Sequence, residues 1–382
     1  MKSDVLARYR FYLRQRPVIL GLLTVLAILF FLGVTGLSRA YRDQRESLGE
    51  RWYNRGVADL NARHFDAAVT DFRAALLYSR DDFAYQLNLA EALIGQGQWA
   101  QAYAYLINLW EHEPENGVVN LELARINGQR ANNDEAIRYY RNAVYAVWPR
   151  DQEGRRLDAR LELIELLLRT DARAQAQGEL IALAESIGPD PAKQEHIGEL
   201  FLRAGDYEHA LAAFTTSLKA DRHNAAALAG AGYAAFQLSR YALAERYMEA
   251  AVAANPNDRV TAERLKTAEL VLRMDPFQRQ ISAARRNRIV VEAFTAAGER
   301  LKTCNLPSVT SAEASTRASL SDEWARLKPQ ITERRLRRDP DLVETAMDLV
   351  FRIERETSTV CGTPTGTDLA LLMISKLHEE AR

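Results

Sequence analysis

The sequence predicts an all-α protein in three parts, and three observations carry that prediction. Residues 18–37 are almost entirely apolar and carry no charge. From residue 51 to residue 257 the chain repeats itself at a step of 34 residues. Beyond the repeats, apolar positions keep a helical spacing but lose the 34-residue step. We therefore predict one N-terminal transmembrane helix, a right-handed α-solenoid of about six helical hairpins, and a C-terminal helical bundle.

The apolar segment is long enough to cross a bilayer. A helix of about 20 apolar residues spans a hydrocarbon core of roughly 30 Å. We predict an N-terminal tail at residues 1–16 and a transmembrane helix at residues 17–38. A cleaved signal peptide is the alternative, since Ser38, Arg39 and Ala40 loosely resemble a cleavage site. However, the apolar run is longer than a usual signal core, and Arg39 would lie inside that site.

The orientation of this helix is not decided by charge. Five basic residues precede the apolar segment and five arginines follow it within about 20 residues, so the positive-inside comparison is nearly a draw. The short N-terminal tail favours a cytoplasmic N-terminus, because large C-terminal domains translocate largely regardless of charge. The excess of arginine over lysine is typical of a GC-rich bacterial genome. We therefore predict a single-pass protein of a bacterial inner membrane, with its C-terminal part in the periplasm.

Each repeat carries two small residues twelve positions apart, followed four positions later by a bulky one. The first small position is held by Gly56, Ala90, Ala124, Gly198 and Gly232. The second is held by Ala68, Ala102, Ala136, Ala210 and Ala244. The bulky position is held by Phe72, Leu106, Tyr140, Phe214 and Met248. Small residues allow two helices to approach closely, and the bulky residue is expected to fill the gap against the next repeat. In register over five repeats, this pattern resembles the tetratricopeptide repeat.

The resemblance places an array at residues 49–258. Its six repeats are expected at 49–82, 83–116, 117–150, 157–190, 191–224 and 225–258. Repeat four is irregular, because the step from Ala136 to Ala176 is 40 residues and Ile164 takes the first small position. The extra length falls in the polar run 150–158, which is expected to lengthen a helix or a loop. A linker between two blocks of three repeats is the alternative.

Tetratricopeptide arrays bind other polypeptides, commonly along a concave surface built from the first helix of each repeat. The resemblance therefore implies a partner-binding surface that includes Tyr53, Val57, Leu60, Leu87, Glu91, Ile94, Leu121 and Arg125. The carboxylate clamp of chaperone cofactors would fall on Tyr53, Val57, Asn88, Val118 and Glu122. Only Asn88 matches that clamp, which excludes binding of an acidic chaperone tail. A mixed apolar and aromatic surface suits an extended segment or a helix face.

The function expected from this layout is that of a membrane-anchored scaffold or adaptor in envelope assembly or export. The expected partners are other proteins, together with the membrane that holds the N-terminal helix. Two other functions remain open at this point. One is a periplasmic chaperone associated with the translocon, and the other is a structural element that self-associates through its C-terminal bundle.

The region after the repeats reads as a capping helix at residues 259–274 and a helical domain at residues 275–382, with no recognised family. Asp275 and Pro276 are expected to begin a long helix, and residues 308–319 to form a surface linker. Cys304 and Cys361 each follow a predicted helix end. We predict a disulfide between them, which an exported domain would permit. Two free buried thiols are the alternative.

The sequence carries no pattern typical of catalysis. Basic and acidic residues number 50 and 51, so nothing favours nucleic-acid binding. None of the 6 histidines pairs with another histidine or a cysteine at metal-ligand spacing, so no metal site is expected. No phosphate-binding glycine loop and no nucleophile with a neighbouring base is apparent. We therefore expect no enzyme activity, no cofactor and no small-molecule substrate.

Overall fold

A computed structural model of the chain describes residues 3–146, 148, 152–188, 190–304 and 311–380. Within these ranges the chain forms eighteen α-helices and no β-strand, so the all-α prediction is confirmed. The chain divides into two compact units. We refer to Met1–Thr170 as the N-terminal module and to Asp171–Arg382 as the C-terminal module. The division falls inside predicted repeat four.

Seven helices form the N-terminal module. They are α1 (Ser3–Asn61), α2 (Phe65–Leu76), α3 (Phe83–Gly95), α4 (Trp99–His112), α5 (Gly117–Gln129), α6 (Asn133–Tyr145) and α7 (Glu153–Arg169). Helices α1 to α6 form the three hairpins of repeats one to three. Residues 153–158 of the polar insertion lengthen α7, while Arg150 and Asp151 lie outside the described residues.

Helix α1 is a single uninterrupted helix that joins three predicted parts. It contains most of the predicted tail, the apolar segment and the first helix of repeat one. The large apolar side chains from Leu20 to Leu37 are exposed, and an 18-residue window there has a mean hydropathy of 2.5. The helix is long and apolar enough to span a membrane.

The small and bulky positions of the repeats meet inside each hairpin. All five alanines of the second small position are fully buried, and so are Phe72, Leu106 and Met248. A Cβ atom added to Gly56 would lie 2.7 Å from the ring of Phe72, and one added to Gly232 would lie 2.6 Å from Cγ of Met248. The bulky residue thus packs against the first small position of its own repeat, sixteen residues earlier. Phe214 also meets the next repeat as expected, because a Cβ atom added to Gly230 would lie 2.4 Å from its ring.

The turn inside each hairpin has the same backbone shape in all six repeats. Six residues adopt positive φ angles between 58° and 77°: Arg63, Gly97, Ala131, Asp171, Gly205 and Ser239. Their spacing is 34 residues except for one step of 40, so the turn of repeat four keeps its place despite the insertion. After Gly97, the Gln98 N–H donates to the Leu93 carbonyl at 2.8 Å, as in a Schellman helix end.

Eleven helices form the described part of the C-terminal module. The first five are α8 (Arg173–Ile187), α9 (Pro191–Ala204), α10 (Tyr207–Ala220), α11 (Ala225–Gln237) and α12 (Tyr241–Ala254). The remaining six are α13 (Arg259–Met274), α14 (Ala283–Thr303), α15 (Ser311–Leu327), α16 (Glu333–Arg338), α17 (Asp341–Cys361) and α18 (Gly366–Glu380). Helices α9 to α12 are the hairpins of repeats five and six.

One hydrophobic core joins the end of the array to the C-terminal bundle. Tyr241 of α12 and Met274 of α13 belong to the same buried cluster as Val290, Val350 and Ile374. Helix α13 therefore covers the last repeat on one side and packs against the bundle on the other. Buried residues of α14 to α18 contribute to this same core.

Two local expectations for the bundle were wrong. Helix α14 begins at Ala283, where the Ser282 hydroxyl accepts from the Arg285 N–H at 3.2 Å, rather than at Asp275. Asp275 instead accepts from the Phe277 N–H at 2.9 Å, which closes a turn after α13. Residues 311–319 are helical and not a linker, whereas 305–310 lie outside the described residues. Further along α15, Trp324 donates to the Phe294 carbonyl at 2.8 Å.

Cys304 and Cys361 lie at two neighbouring helix ends and form a disulfide in the structure. Cys304 follows the last residue of α14, Cys361 is the last residue of α17, and their Cα atoms are 5.8 Å apart. Arg300 of α14 also links these two helix ends, because its Nη2 donates to the carbonyl of Gly362, which follows α17, at 3.0 Å.

We predict that this disulfide forms in the cell. A bond that closes 57 residue steps should stabilise the module by roughly 4 kcal/mol. Formation requires an oxidising compartment, so the bond also reports export. Mass mapping under non-reducing conditions, on protein isolated from membranes with free thiols blocked first, should show a Cys304–Cys361 peptide pair. Two alkylated cysteines would contradict both the bond and the periplasmic location.

Glu354 makes the stability of the C-terminal module depend on pH. It is fully buried, and neither carboxylate oxygen has a hydrogen-bond partner among the described residues. Burial and, to a smaller extent, the charge of Asp368 raise the pKa of Glu354 to about 8, against the opposing charge of Arg300. Because the folded pKa lies above the usual value of 4.5, the folded state takes the proton more tightly than the unfolded chain.

We predict that the unfolding free energy of this module falls as the pH rises from 4.5 to 8, by roughly 3–5 kcal/mol. Glu354→Gln should remove that dependence, and Glu356→Gln, at an exposed site on the same helix, should retain it. Urea denaturation of the fluorotryptophan-labelled full chain measures this, because Trp324 is the only tryptophan of the module. A steep slope that persists in Glu354→Gln would assign the effect to another group.

The glycine contact inside each hairpin gives a matched packing test. We predict that Gly232→Leu destabilises the C-terminal module by roughly 1–3 kcal/mol, because its side chain would overlap Met248. Gly178→Leu is the control, since a Cβ there meets nothing within 4 Å and leucine favours the helix. Urea denaturation compares the two. Equal midpoints for both variants would show that our register for repeat six is wrong.

Candidate partner-binding surface

The first helices of the repeats lie side by side in the N-terminal module, and we call α1, α3, α5 and α7 the first-helix row. Tyr53 of α1 stacks on Tyr85 of α3 with ring centroids 4.7 Å apart. Asn88 of α3 donates to the Tyr53 hydroxyl at 2.8 Å. Burial raises the pKa of Tyr53, with smaller contributions from nearby carboxylates, so its hydroxyl stays protonated at neutral pH. These contacts fix Tyr53 at the start of the row.

Seven of the eight residues predicted for the partner surface are half-buried in this row. Tyr53, Val57 and Leu60 lie on α1, Leu87, Glu91 and Ile94 on α3, and Arg125 on α5. Half-buried side chains are held in place by the fold and still present part of their surface to solvent. Leu121 differs, because its side chain is fully buried and cannot touch a partner. We therefore remove Leu121 from the surface.

A network of ion pairs ties α3, α5 and α7 together. Arg155 of α7 donates to Glu91 at 2.7 Å and to Glu122 at 2.9 Å. Arg125 of α5 donates to Glu122 at 2.8 Å and binds both carboxylate oxygens of Glu162, the closest at 2.6 Å. Two arginines thus connect three carboxylates from three successive repeats. Such a network fixes the spacing of the first helices.

Glu122 is the buried centre of this network. Its side chain is only 5% exposed, whereas Arg125 and Arg155 are about one-third exposed. Burial raises the pKa of Glu122, and the two guanidinium groups partly offset that rise. Tyr140 closes the network by donating to Glu162 at 2.8 Å, and burial followed by the charge of Glu162 raises the pKa of that tyrosine.

Glu91 and Arg125 were expected on this surface from the sequence. Arg155, Glu162 and the central role of Glu122 were not. The repeat step could have indicated these ion pairs, because residues about 34 positions apart lie next to each other on neighbouring first helices. Arg155 is 33 residues from Glu122, and Glu162 is 37 residues from Arg125. Opposite charges at that spacing predict an ion pair across the row.

The row therefore has two parts of different character. Its first part is apolar and aromatic, with Tyr53, Val57, Leu60, Leu87 and Ile94. Its second part is the ion-pair network. This arrangement can bind a polypeptide through apolar contact and charge. The described residues include no group of three or more side chains that could hold a metal ion.

The C-terminal module contains a second concave site, a pocket of about 560 Å³. Its rings are Phe277, Phe351 and His378, and the centroids of Phe277 and His378 are 4.5 Å apart. The two arginines that line it are already engaged, since Arg355 pairs with Glu379 at 2.6 Å and Arg352 with Glu323 at 2.6 Å. Both arginine charges at this pocket are therefore balanced by carboxylates.

Comparison with known protein families matches two segments of the chain to the tetratricopeptide repeat. The matched residues are 53–113 and 197–259, which cover repeats one and two and repeats five and six. The chain therefore contains tetratricopeptide repeats in these two segments. Tetratricopeptide modules are generally non-enzymatic, and the fold supports a role in protein–protein interaction. A comparison with curated proteins found no match.

Solved structures with a similar fold include several tetratricopeptide proteins. YrrB, described as having an unusual peptide-binding site, is 17% identical with a TM-score of 0.41 and covers 50% of this chain and 95% of its own. Pseudomonas aeruginosa pilF is 15% identical with a TM-score of 0.41, covering 58% and 97%. PilW, a type IV pilus biogenesis factor, is 15% identical with a TM-score of 0.39, covering 58% and 98%. At these values the likeness carries no conclusion about function.

Proposed function

We propose that this tetratricopeptide protein is a membrane-anchored scaffold that holds a partner polypeptide against the first-helix row. The observation that carries the proposal is the apolar first part of the row beside a rigid ion-pair network. Apolar residues supply most of the free energy of binding, and charges at the border select the partner. The partner that fits is an amphipathic helix or an extended segment with apolar anchors.

The anchor in this proposal is the apolar segment of α1. Its exposed side chains include Phe30 and Leu37, which are about three-quarters exposed, and a hydrocarbon core would cover them. The proposed location of both modules is the periplasm of a bacterial inner membrane. The Cys304–Cys361 pair supports an oxidising compartment, and envelope assembly or export is the proposed setting.

We predict that a photo-crosslinking amino acid at Leu87 captures a defined partner in membranes, because this residue lies in the apolar part of the row. The same amino acid at Ala67, an exposed position on α2, is the matched control and should capture none. Leu87→Arg should weaken partner binding about tenfold or more, without changing the unfolding midpoint of the module.

The pattern of captured proteins separates the proposal from two other functions. A chaperone would capture many unrelated unfolded clients at Leu87. An element that self-associates through its C-terminal bundle would capture no defined partner at Leu87 and would form an oligomer that depends on protein concentration. Equal capture at Leu87 and Ala67 would contradict the first-helix row as the binding surface.

A further inference from the structure

The hairpin of α1 and α2 has one end that returns toward the apolar segment. Helix α1 runs without a break to Asn61, and α2 folds back along it after a three-residue turn. Arg45 shows how far α2 returns, because its Nη2 donates to the backbone oxygens of Leu77 and Tyr78 at 3.1 and 3.2 Å. The end of α2 therefore lies beside Arg45 on α1.

The position of Arg45 sets the height of this end above a bilayer. Arg45 comes seven residues after Ser38, where the uncharged segment ends. At 1.5 Å per residue, this is about 10 Å beyond the hydrocarbon core. The headgroup layer extends roughly 5–7 Å beyond that core on each side. The end of α2 thus lies just outside the headgroup layer, by about 3–5 Å.

The side chains at this height have the chemistry of a membrane interface. Leu77 is 77% exposed and Tyr41 is 63% exposed, so both present large apolar surfaces. Tyrosine is enriched at headgroup level, where its ring is buried and its hydroxyl stays hydrated. Arg42 and Arg45 are exposed as well, and guanidinium groups bind phosphate oxygens well.

Tyr41, Arg42 and Arg45 share one side of α1, next to the end of α2 that carries Leu77. Tyr41 and Arg42 are four and three positions before Arg45, so they lie on the side of α1 that Arg45 shares with the end of α2. At 100° per residue, Asp43 lies about 160° around the helix from Arg45, and Glu46 lies about 100° from it. Asp43 therefore points away from this side, whereas Glu46, four positions after Arg42, lies at its border.

We propose that Tyr41, Arg42, Arg45 and Leu77 form a juxtamembrane patch that rests on the headgroups of a phospholipid bilayer. The patch gives the N-terminal module a second membrane contact beside the spanning helix. It holds the first-helix row at a fixed height above the membrane. The inference rests on the proposed anchoring of the protein by α1.

The test measures the depth of nitroxide labels in the full chain, reconstituted in vesicles of phosphatidylcholine and phosphatidylglycerol with Cys304 and Cys361 left oxidised. The label sits at Leu77→Cys in one variant and at Leu29→Cys, inside the apolar segment, in another. Ala62→Cys, an exposed site at the opposite end of the hairpin, is the matched control. The ratio of collision with oxygen to collision with a water-soluble nickel complex reports depth.

The expected ratio is highest at residue 29, intermediate at residue 77 and lowest at residue 62. If the label at residue 77 is as accessible to nickel as the label at residue 62, while the label at residue 29 is still deep, the juxtamembrane patch is overturned and the anchoring stays intact. If the label at residue 29 is as accessible to nickel as the label at residue 62, both the anchoring and the juxtamembrane patch are overturned. The three labels therefore separate the two proposals.

Discussion

The close approach of two helices over a small residue determines the geometry of the regular hairpins in this structure. In repeats one, five and six, a bulky residue lies over a glycine sixteen residues earlier, and any Cβ at Gly56, Gly198 or Gly232 would overlap it. This contact fixes the distance and the register of the two helices in a hairpin. Hairpins of equal geometry then stack so that their first helices become neighbours. The first-helix row is a consequence of that stacking, and so is the ion-pair network that crosses it.

The features that sequence predicts best are those encoded by local spacing. The 34-residue step gives the hairpins, and the uncharged run gives the apolar helix. The turns inside the hairpins are harder, because four of the six residues with positive φ are not glycine. Arg63 and Ala131 adopt a backbone that costs roughly 1–2 kcal/mol for residues with a Cβ. Packing of the hairpin imposes that shape, and intrinsic propensity does not reveal it.

The C-terminal bundle shows where reasoning from composition fails. Asp275 followed by proline is a helix-start pattern, yet its carboxylate closes a turn instead. The helix begins later, where the Ser282 hydroxyl caps its first turn. Residues 311–319 are rich in serine and threonine, but the alanines and the glutamate among them favour a helix. The first error came from reading a short motif that also fits a turn, and the second from giving serine and threonine more weight than alanine. Likewise, Leu121 has the spacing of a surface position, and only the packing of α5 shows that it is buried.

The proposed anchor and the proposed binding surface share one helix. Helix α1 carries the apolar segment at one end and Tyr53, Val57 and Leu60 at the other, with no break between them. A flexible linker would let the row move freely relative to the bilayer, whereas a continuous helix holds it at a set height. The network around Glu122 extends this rigidity from α3 to α7, because each arginine is bound by two carboxylates. A partner held on such a surface is positioned as well as bound, which is the property that distinguishes a scaffold from a simple tether.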